Sequence, residues 1–231
     1  ANILSPMVDS DSTILEVGCG EATTLQGVLN NLVKAPKHAF GFDISWSRCS
    51  YARSWLAENK VHADVFVADL FQIPLEDSSV DIVYTSHSLE PNGGNESAAL
   101  KELIRIAKRA VVLIEPIYEL ADLKAQERMN EHGYVRNLKN YAETLNVTVA
   151  EHKLLDFRMN PLNPSGVIVL EKEKIKVERM PGLVWRCPLT HARLERFNDC
   201  FYSKEAGIAY PILGGIPVLI KGRAIVASAY R

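Results

Sequence analysis

The sequence runs to 231 residues, 47% hydrophobic and 23% charged, enough for one full-sized core with a small annex and too apolar for a disordered tail. With 26 Lys+Arg against 28 Asp+Glu the net charge is -2, so no basic field drives counterion release and nucleic acid is not an expected partner. No apolar run nears the roughly 20 residues of a bilayer crossing, and residues 1–7 lack the charged and apolar regions of a secretory signal, so a cytoplasmic protein without a membrane span is expected.

Residues 13–173 alternate short β-rich runs with longer helical stretches, the rhythm of an α/β fold with a parallel sheet wrapped by helices. Residues 13–17 predict the first strand, ended by Gly18, Cys19 and Gly20; a helix over 22–33 carries Leu25, Val28, Leu29 and Val33 at helical spacing and stops at Ala35-Pro36. The second strand, 38–42, closes on Asp43, and Ser45 and Ser47 are candidate caps for a helix reaching Asn59. Strands follow at 64–68 and 81–85, then a Pro91-Asn92-Gly93-Gly94 loop, a helix over 96–109 and a fully covered strand over 110–114. Residues 118–145 read as helix interrupted at His132-Gly133, either two helices at an angle or a mobile lid. Strands at 147–157 and 166–173, joined by the 161–164 turn, complete a set of seven. A charged connector, 174–180, and Pro181-Gly182 then divide a main domain, residues 1–174, from a β-rich annex, residues 181–231. At about 50 residues the annex is expected to pack on the main domain or to need a staple.

Glycines at the first strand-to-helix corner let a ligand approach the backbone and meet helix N-terminal amides. Gly18-Cys19-Gly20 alone equally describes a plain tight turn. The spacing adds weight, because Asp43 ends the next strand, where a carboxylate accepts the hydroxyls of a ribose, and Asp69 ends the one after. A nicotinamide dinucleotide fits less well, since Thr23 stands where the fuller Gly-x-Gly-x-x-Gly would need its third glycine.

These segments, in this order, resemble the class I S-adenosylmethionine-dependent methyltransferases, particularly the broad type-11 group. Glu16-Val17-Gly18-Cys19-Gly20 is similar to its cofactor motif, Gly41-Phe42-Asp43-Ile44-Ser45 to its ribose-binding turn, and Ala68-Asp69-Leu70 with Ile73-Pro74-Leu75 to its adenine-binding turn. Ser79-Val80-Asp81-Ile82-Val83 resembles the strand leading to the catalytic face, and Ser86-His87-Ser88-Leu89-Glu90 falls where the group continues with a Leu-Glu pair. The resemblance implies a seven-stranded Rossmann-like sheet, mostly parallel with the last strand antiparallel. It also implies S-adenosylmethionine as cofactor, S-adenosylhomocysteine as product, and a cofactor site of Glu16, Gly18, Cys19, Gly20, Asp43, Ile44, Asp69, Leu70 and Ser86. Within that site Glu16 would sit by the methionine amino group, Asp43 on the ribose, and Asp69 with Leu70 on the adenine. Members usually carry a helix or two upstream that cap the pocket; with the first strand at Thr13, part of that wall is expected to be absent.

Methyl transfer to oxygen or nitrogen needs in-line positioning, and a base only when the acceptor must lose a proton. His87 and Glu90 follow the fourth strand, and Glu115 and Tyr118 the fifth. His87 is the leading base because imidazole titrates near neutrality, although it serves equally as a loop hydrogen-bonding group. His132, Tyr134 and Arg136 beside the helix break would suit an anionic or polyhydroxyl acceptor, or form a solvated turn. The expected acceptor is a small molecule or saccharide; the alternatives are a tRNA or protein substrate, or a binding scaffold without turnover. Nothing in the sequence bears on oligomeric state.

The annex motifs Trp185-Arg186-Cys187-Pro188-Leu189-Thr190, residues 201–212 and Gly215-Ile216-Pro217-Val218-Leu219 resemble the short zinc-ribbon family that activates tRNA and translation-factor methyltransferases. In that resemblance the ligand positions read Cys187, Thr190, Ser203 and Ala206, so one thiolate of four remains and no metal is expected. Cys19, Cys49, Cys187 and Cys200 are too few and scattered for a disulfide framework and read as reduced thiols.

Overall fold

The computed structural model of the chain describes residues 1–156, 160–173 and 183–228. The 174–182 connector, where the sequence places the domain boundary, and Phe157, assigned to the sixth strand, lie outside the described residues.

The main sheet comprises β1 (Thr13–Val17), β2 (His38–Asp43), β3 (Asp64–Val67), β4 (Val80–Ser86), β5 (Ala107–Pro116), β6 (Thr148–Leu154) and β7 (Ser165–Glu171), in the order β3-β2-β1-β4-β5-β7-β6. β7 runs antiparallel to both β5 and β6, while β1 to β5 pair in parallel. The order reverses between β1 and β4, and at such a switch point the loops leaving the carboxyl ends of the two strands diverge and open a crevice.

The helices fit the faces of this sheet because their apolar residues recur at helical spacing. α1 (Thr23–Asn31) buries Leu25 and Val28, and α2 (Trp46–Glu58) buries Cys49, Ala52 and Leu56; with Ile14 and Ile82 these form one core layer. Ser45 caps α2 by accepting the Arg48 amide. On the other face α3 (Glu96–Ile106) packs Leu100, Leu103 and Ile106 against Leu15, Val83 and Leu113. The sequence extends this helix to Arg109, but α3 ends at Ile106 and β5 begins at once with Ala107 paired to Val80. Pairing in the sheet overrides the helix-friendly Lys108 and Arg109. Residues 118–143 hold a 3₁₀ turn (Tyr118–Leu120), α4 (Leu123–Glu131), capped by Asp122 on the Ala125 amide, and α5 (Leu138–Glu143). The predicted break at His132-Gly133 falls between α4 and α5, with Gly133 at φ 64.

The annex strands β8 (Glu195–Arg196), β9 (Cys200–Ser203), β10 (Ile208–Leu213), β11 (Ile216–Pro217) and β12 (Ile225–Val226) form a second antiparallel sheet. It docks along β3, the edge of the main sheet. Leu219 donates its amide to Val67 O (2.8 Å), Glu76 to Val184 O (2.9 Å) and Arg186 to Pro74 O (3.0 Å). Trp185 stands edge-on to Phe66 at 4.9 Å and 5.4 Å from Phe201, tying the two cores together. The edge strand β3 is thereby covered.

Candidate active site

At the crevice the chain leaves β1 through Gly18 and Gly20, at φ 69 and 55. A Cβ at Gly18 would collide with Ser88, the residue that closes the loop by donating its hydroxyl to Val17 O at 2.7 Å. Gly20 in turn gives its amide to Asp43 Oδ2 at 3.1 Å, while Asp43 Oδ1 accepts the Ser45 amide at 2.8 Å. Two amides thus hold the Asp43 carboxylate rigid at the end of β2, with Arg48 at 3.9 Å. After β3, Asp69 Oδ1 accepts the Phe71 amide at 2.9 Å, which turns Leu70 and Phe71 into the crevice.

These groups line one cleft of about 310 Å³: Gly18, Asp43, Ile44, Asp69 and Leu70 among the predicted cofactor residues, with His87 among the predicted catalytic ones. Phe42, Phe71 and Ser88 line it too; Phe42 and Ser88 stand inside the motifs read from the sequence without a role of their own, and Phe71, two residues past Asp69, stands in none of them. Cys19 is buried behind the loop, its thiol raised by a hydrogen bond to Cys49 and then by burial. Glu16 is buried beneath the glycine corner, where burial raises its carboxyl to about 8 against the hydrogen bond from Tyr84 Oη at 3.1 Å. Ser86 lines not this cleft but a neighbouring cavity of about 430 Å³ with Ile114, Leu155, Asn160, Asn163 and Ser165. His87 lines both.

His87 sits at φ 55, in the left-handed region. Its Nδ1 lies 2.8 Å from Glu90 Oε2 and its Nε2 2.8 Å from Ser165 Oγ. Glu90 raises the imidazole pKa, more than burial lowers it. The loop that carries both residues hangs on the buried Glu115, which accepts the amides of Ser88 (3.1 Å), Leu89 (3.2 Å) and Glu90 (3.1 Å). Burial lifts Glu115 to about 7 despite these bonds.

The remaining candidates form a second cluster. Arg136 lies over the Tyr118 ring at 5.6 Å, linked through Asn130 to its hydroxyl, and His132 stands edge-on to Tyr134 at 5.6 Å. None of Tyr118, His132, Tyr134 and Arg136 lines the Gly18–Asp43 cleft. The cluster is tied to that cleft's wall, however, because Gly93 donates to Gly133 O at 3.1 Å and Val135 to Glu90 O at 3.0 Å.

In the annex, Ser203, Tyr210 and Thr190 hydrogen-bond the Cys187 thiol and lower its pKa against the effect of burial, and Ser203 Oγ accepts the Ala206 amide at 3.3 Å. The four positions that the ribbon pattern would give to zinc are therefore gathered. Among the described residues no group of three or more His, Cys, Asp or Glu is placed to hold a metal.

Residues 14–110 match the protein-family model described as a methyltransferase domain. No curated protein matches the chain. Among solved structures, the complex between the Haloferax volcanii Trm112 methyltransferase activator and a putative methyltransferase is similar at 18% identity and TM-score 0.60, covering 74% of this chain and 86% of that one. A SAM-dependent methyltransferase from Methanosarcina mazei gives 16% identity and TM-score 0.59, with 74% and 97% covered. Magnesium protoporphyrin IX methyltransferase from Synechocystis PCC 6803, with bound SAH, gives 15% and 0.55, with 71% and 75% covered. At these identities the likeness is one of fold.

Proposed function

We propose that this chain, which carries a methyltransferase domain over residues 14–110, is an S-adenosylmethionine-dependent enzyme that passes a methyl group to an oxygen or nitrogen of a small-molecule or sugar-bearing acceptor. The observation that carries the reading is His87, a base shared by the Gly18–Asp43 cleft and the adjoining cavity, so that two ligands would meet at it.

The cleft suits the cofactor chemically. Asp43, fixed by two amides, accepts ribose hydroxyls; Leu70 and Phe71 offer apolar walls to a purine; and Gly18 leaves room beside the backbone, while Glu16, which the resemblance gives to the amino group, is buried against Tyr84 and does not line the cleft. Bound there, the cofactor supplies an electrophilic methyl group on a sulfonium sulfur. The protein's share is to exclude water, align the acceptor lone pair and remove its proton. His87 does the last, with Glu90 holding Nδ1 and Glu115 fixing the loop. The cluster of Tyr118, His132, Tyr134 and Arg136 acts as a lid segment through its hydrogen bonds to residues 90–93. The division into residues 1–174 and 181–231, a metal-free ribbon-like annex, and a cytoplasmic location belong to the same reading; four free cysteines suit a reducing compartment. Among the described residues no helix is long and apolar enough to cross a membrane.

Calorimetric titration with S-adenosylhomocysteine tests the cofactor. Micromolar binding is expected, weakened in Asp43→Ala by about 1.5–3 kcal/mol, the worth of a hydrogen bond to a charged group. Absence of binding, or an Asp43→Ala affinity equal to wild type, overturns the assignment.

A second reading, a tRNA or protein substrate, rests on the annex: it docks along β3, and the Haloferax methyltransferase is found with a separate activator. Labelled methyl transfer to total tRNA or protein, but not to small metabolites, would favour it.

A further inference from the structure

Resting on that reading, we propose that the cavity of Ser86, Ile114, Leu155, Asn160, Asn163 and Ser165 receives an uncharged, hydroxyl-bearing acceptor, and that Ser165 relays the acceptor's proton to His87. Both imidazole nitrogens are engaged, Nδ1 by Glu90 and Nε2 by Ser165 Oγ, each at 2.8 Å. A proton leaving a group in the cavity therefore reaches Nε2 through the serine oxygen. The sequence keeps these residues far apart: Ser165 opens β7, while His87 and Glu90 follow β4. The antiparallel insertion of β7 beside β5 brings them together, since Ser165 pairs with Pro116 at the same end of the sheet where Ser86 pairs with Ile114.

The lining defines the acceptor class. Among the described residues the lining besides His87 is Ser, Asn, Ile and Leu, so it offers neutral hydrogen-bonding groups and, apart from the imidazole, no ionic partner for a charged occupant. Ile114 and Leu155 offer an apolar wall. Ser86, Asn160 and Ser165 add neutral hydrogen-bonding groups. A hydroxyl suits this lining, being uncharged and able to donate to Ser165 Oγ, whereas an alkylamine enters as a cation.

The balance of the step follows. The acceptor oxygen's lone pair forms the bond to the methyl carbon, and the S–CH₃ bond breaks with its electron pair retained by sulfur. The acceptor proton moves to Ser165 Oγ as the serine proton moves to Nε2. The positive charge of the sulfonium ends on the imidazolium beside Glu90, and serine is unchanged.

The test uses the full chain labelled with ¹⁵N-histidine, with and without S-adenosylhomocysteine. The probes are phenol, cyclohexanol and methyl glucoside, with benzoate and cyclohexylammonium as charged counterparts. The neutral hydroxyl probes are expected to shift the His87 ring signals; the response is lost in Ser165→Ala and kept in Ser165→Thr, and the charged probes leave His87 unmoved. Charged probes that shift His87 more than neutral ones, or a Ser165→Ala response equal to wild type, overturn the proposal. The same Ser–His–Glu order would serve a hydrolytic nucleophile, so covalent labelling of Ser165 by a fluorophosphonate also overturns it. A wild-type chain that binds no S-adenosylhomocysteine sinks the methyltransferase reading, while the probe responses without it still decide the cavity.

Discussion

His87 joins backbone strain to hydrogen-bond geometry. A histidine at φ 55 costs conformational energy, and the loop keeps it there because the Glu115 carboxylate collects three successive amides of residues 88–90 while His87 N bonds Ile114 O at 2.9 Å. The side chain is thus aimed by its neighbours rather than by its own preference. Glu90 is the largest cause raising the imidazole pKa, with a smaller contribution from Glu115, and burial opposes both. Glu90→Gln keeps a hydrogen-bond acceptor at similar reach but removes the charge, so the His87 titration is expected to move to lower pH. Histidine ring signals followed from acid to alkaline pH read this directly. A titration that stays where wild type has it would uncouple Glu90 from His87 and leave the base without its partner. Of the catalytic candidates named from sequence, His87 and Glu90 meet, as expected for residues three apart in one loop. Ser165 could not be found that way, because its partner lies 78 positions earlier.

At the scale of elements, the annex tests how much of the fold depends on docking. Its second sheet is small and closes through main-chain bonds to Val67 of β3 and to residues 74 and 76 beyond it, through the Arg186–Glu76 ion pair, and through Trp185, which is half-buried between Phe66 of β3 and Phe201 of β9. Trp185→Ala removes both ring contacts and is expected to cost about 3 kcal/mol, at the low end for a large aromatic because part of the ring already meets water. Denaturant unfolding of the two proteins measures it; a loss below about 1 kcal/mol would mean that the backbone pairing and the other contacts, Arg186–Glu76 and the buried Leu219 among them, secure the annex without Trp185. Before Gly94, β1 was legible from the glycines that end it, β2 and β3 from the acidic residues Asp43 and Asp69 that close them, and α1 from its apolar spacing and the Ala35-Pro36 stop. The α3–β5 boundary was not, since no loop separates Ile106 from Ala107 and the charged Lys108 and Arg109 read equally as helix. Nor does local sequence tell that β7 inserts between β5 and β6. That placement is a property of the sheet order, and it is what creates the cavity beside His87.

Over the whole molecule the titratable groups of the site act in one direction. Burial raises Glu16 to about 8 and Glu115 to about 7, each from an ordinary value near 4.5, and His87 is raised as well. Above about pH 4.5 the unfolded chain gives up the two carboxyl protons that the folded chain retains, so the folded state binds more protons and its stability falls as pH rises. The loss continues until the folded carboxyls ionise near 7 and 8. His87 has the same sign: what it contributes is complete below its unfolded pKa and disappears as pH rises through its folded one. His152, lowered chiefly by burial, runs the other way, but it is only half-buried. Urea unfolding at about pH 5 and about pH 8 is therefore expected to show the protein more stable at the acid end. Glu16→Gln keeps an oxygen for Tyr84 Oη but cannot ionise, so it should flatten that slope. Stability that is level or rises between these two pH values, or a slope unchanged in Glu16→Gln, would place the carboxyl of Glu16 in its charged form throughout. The glycine corner above Glu16 would then stand on a buried carboxylate and not on a neutral acid.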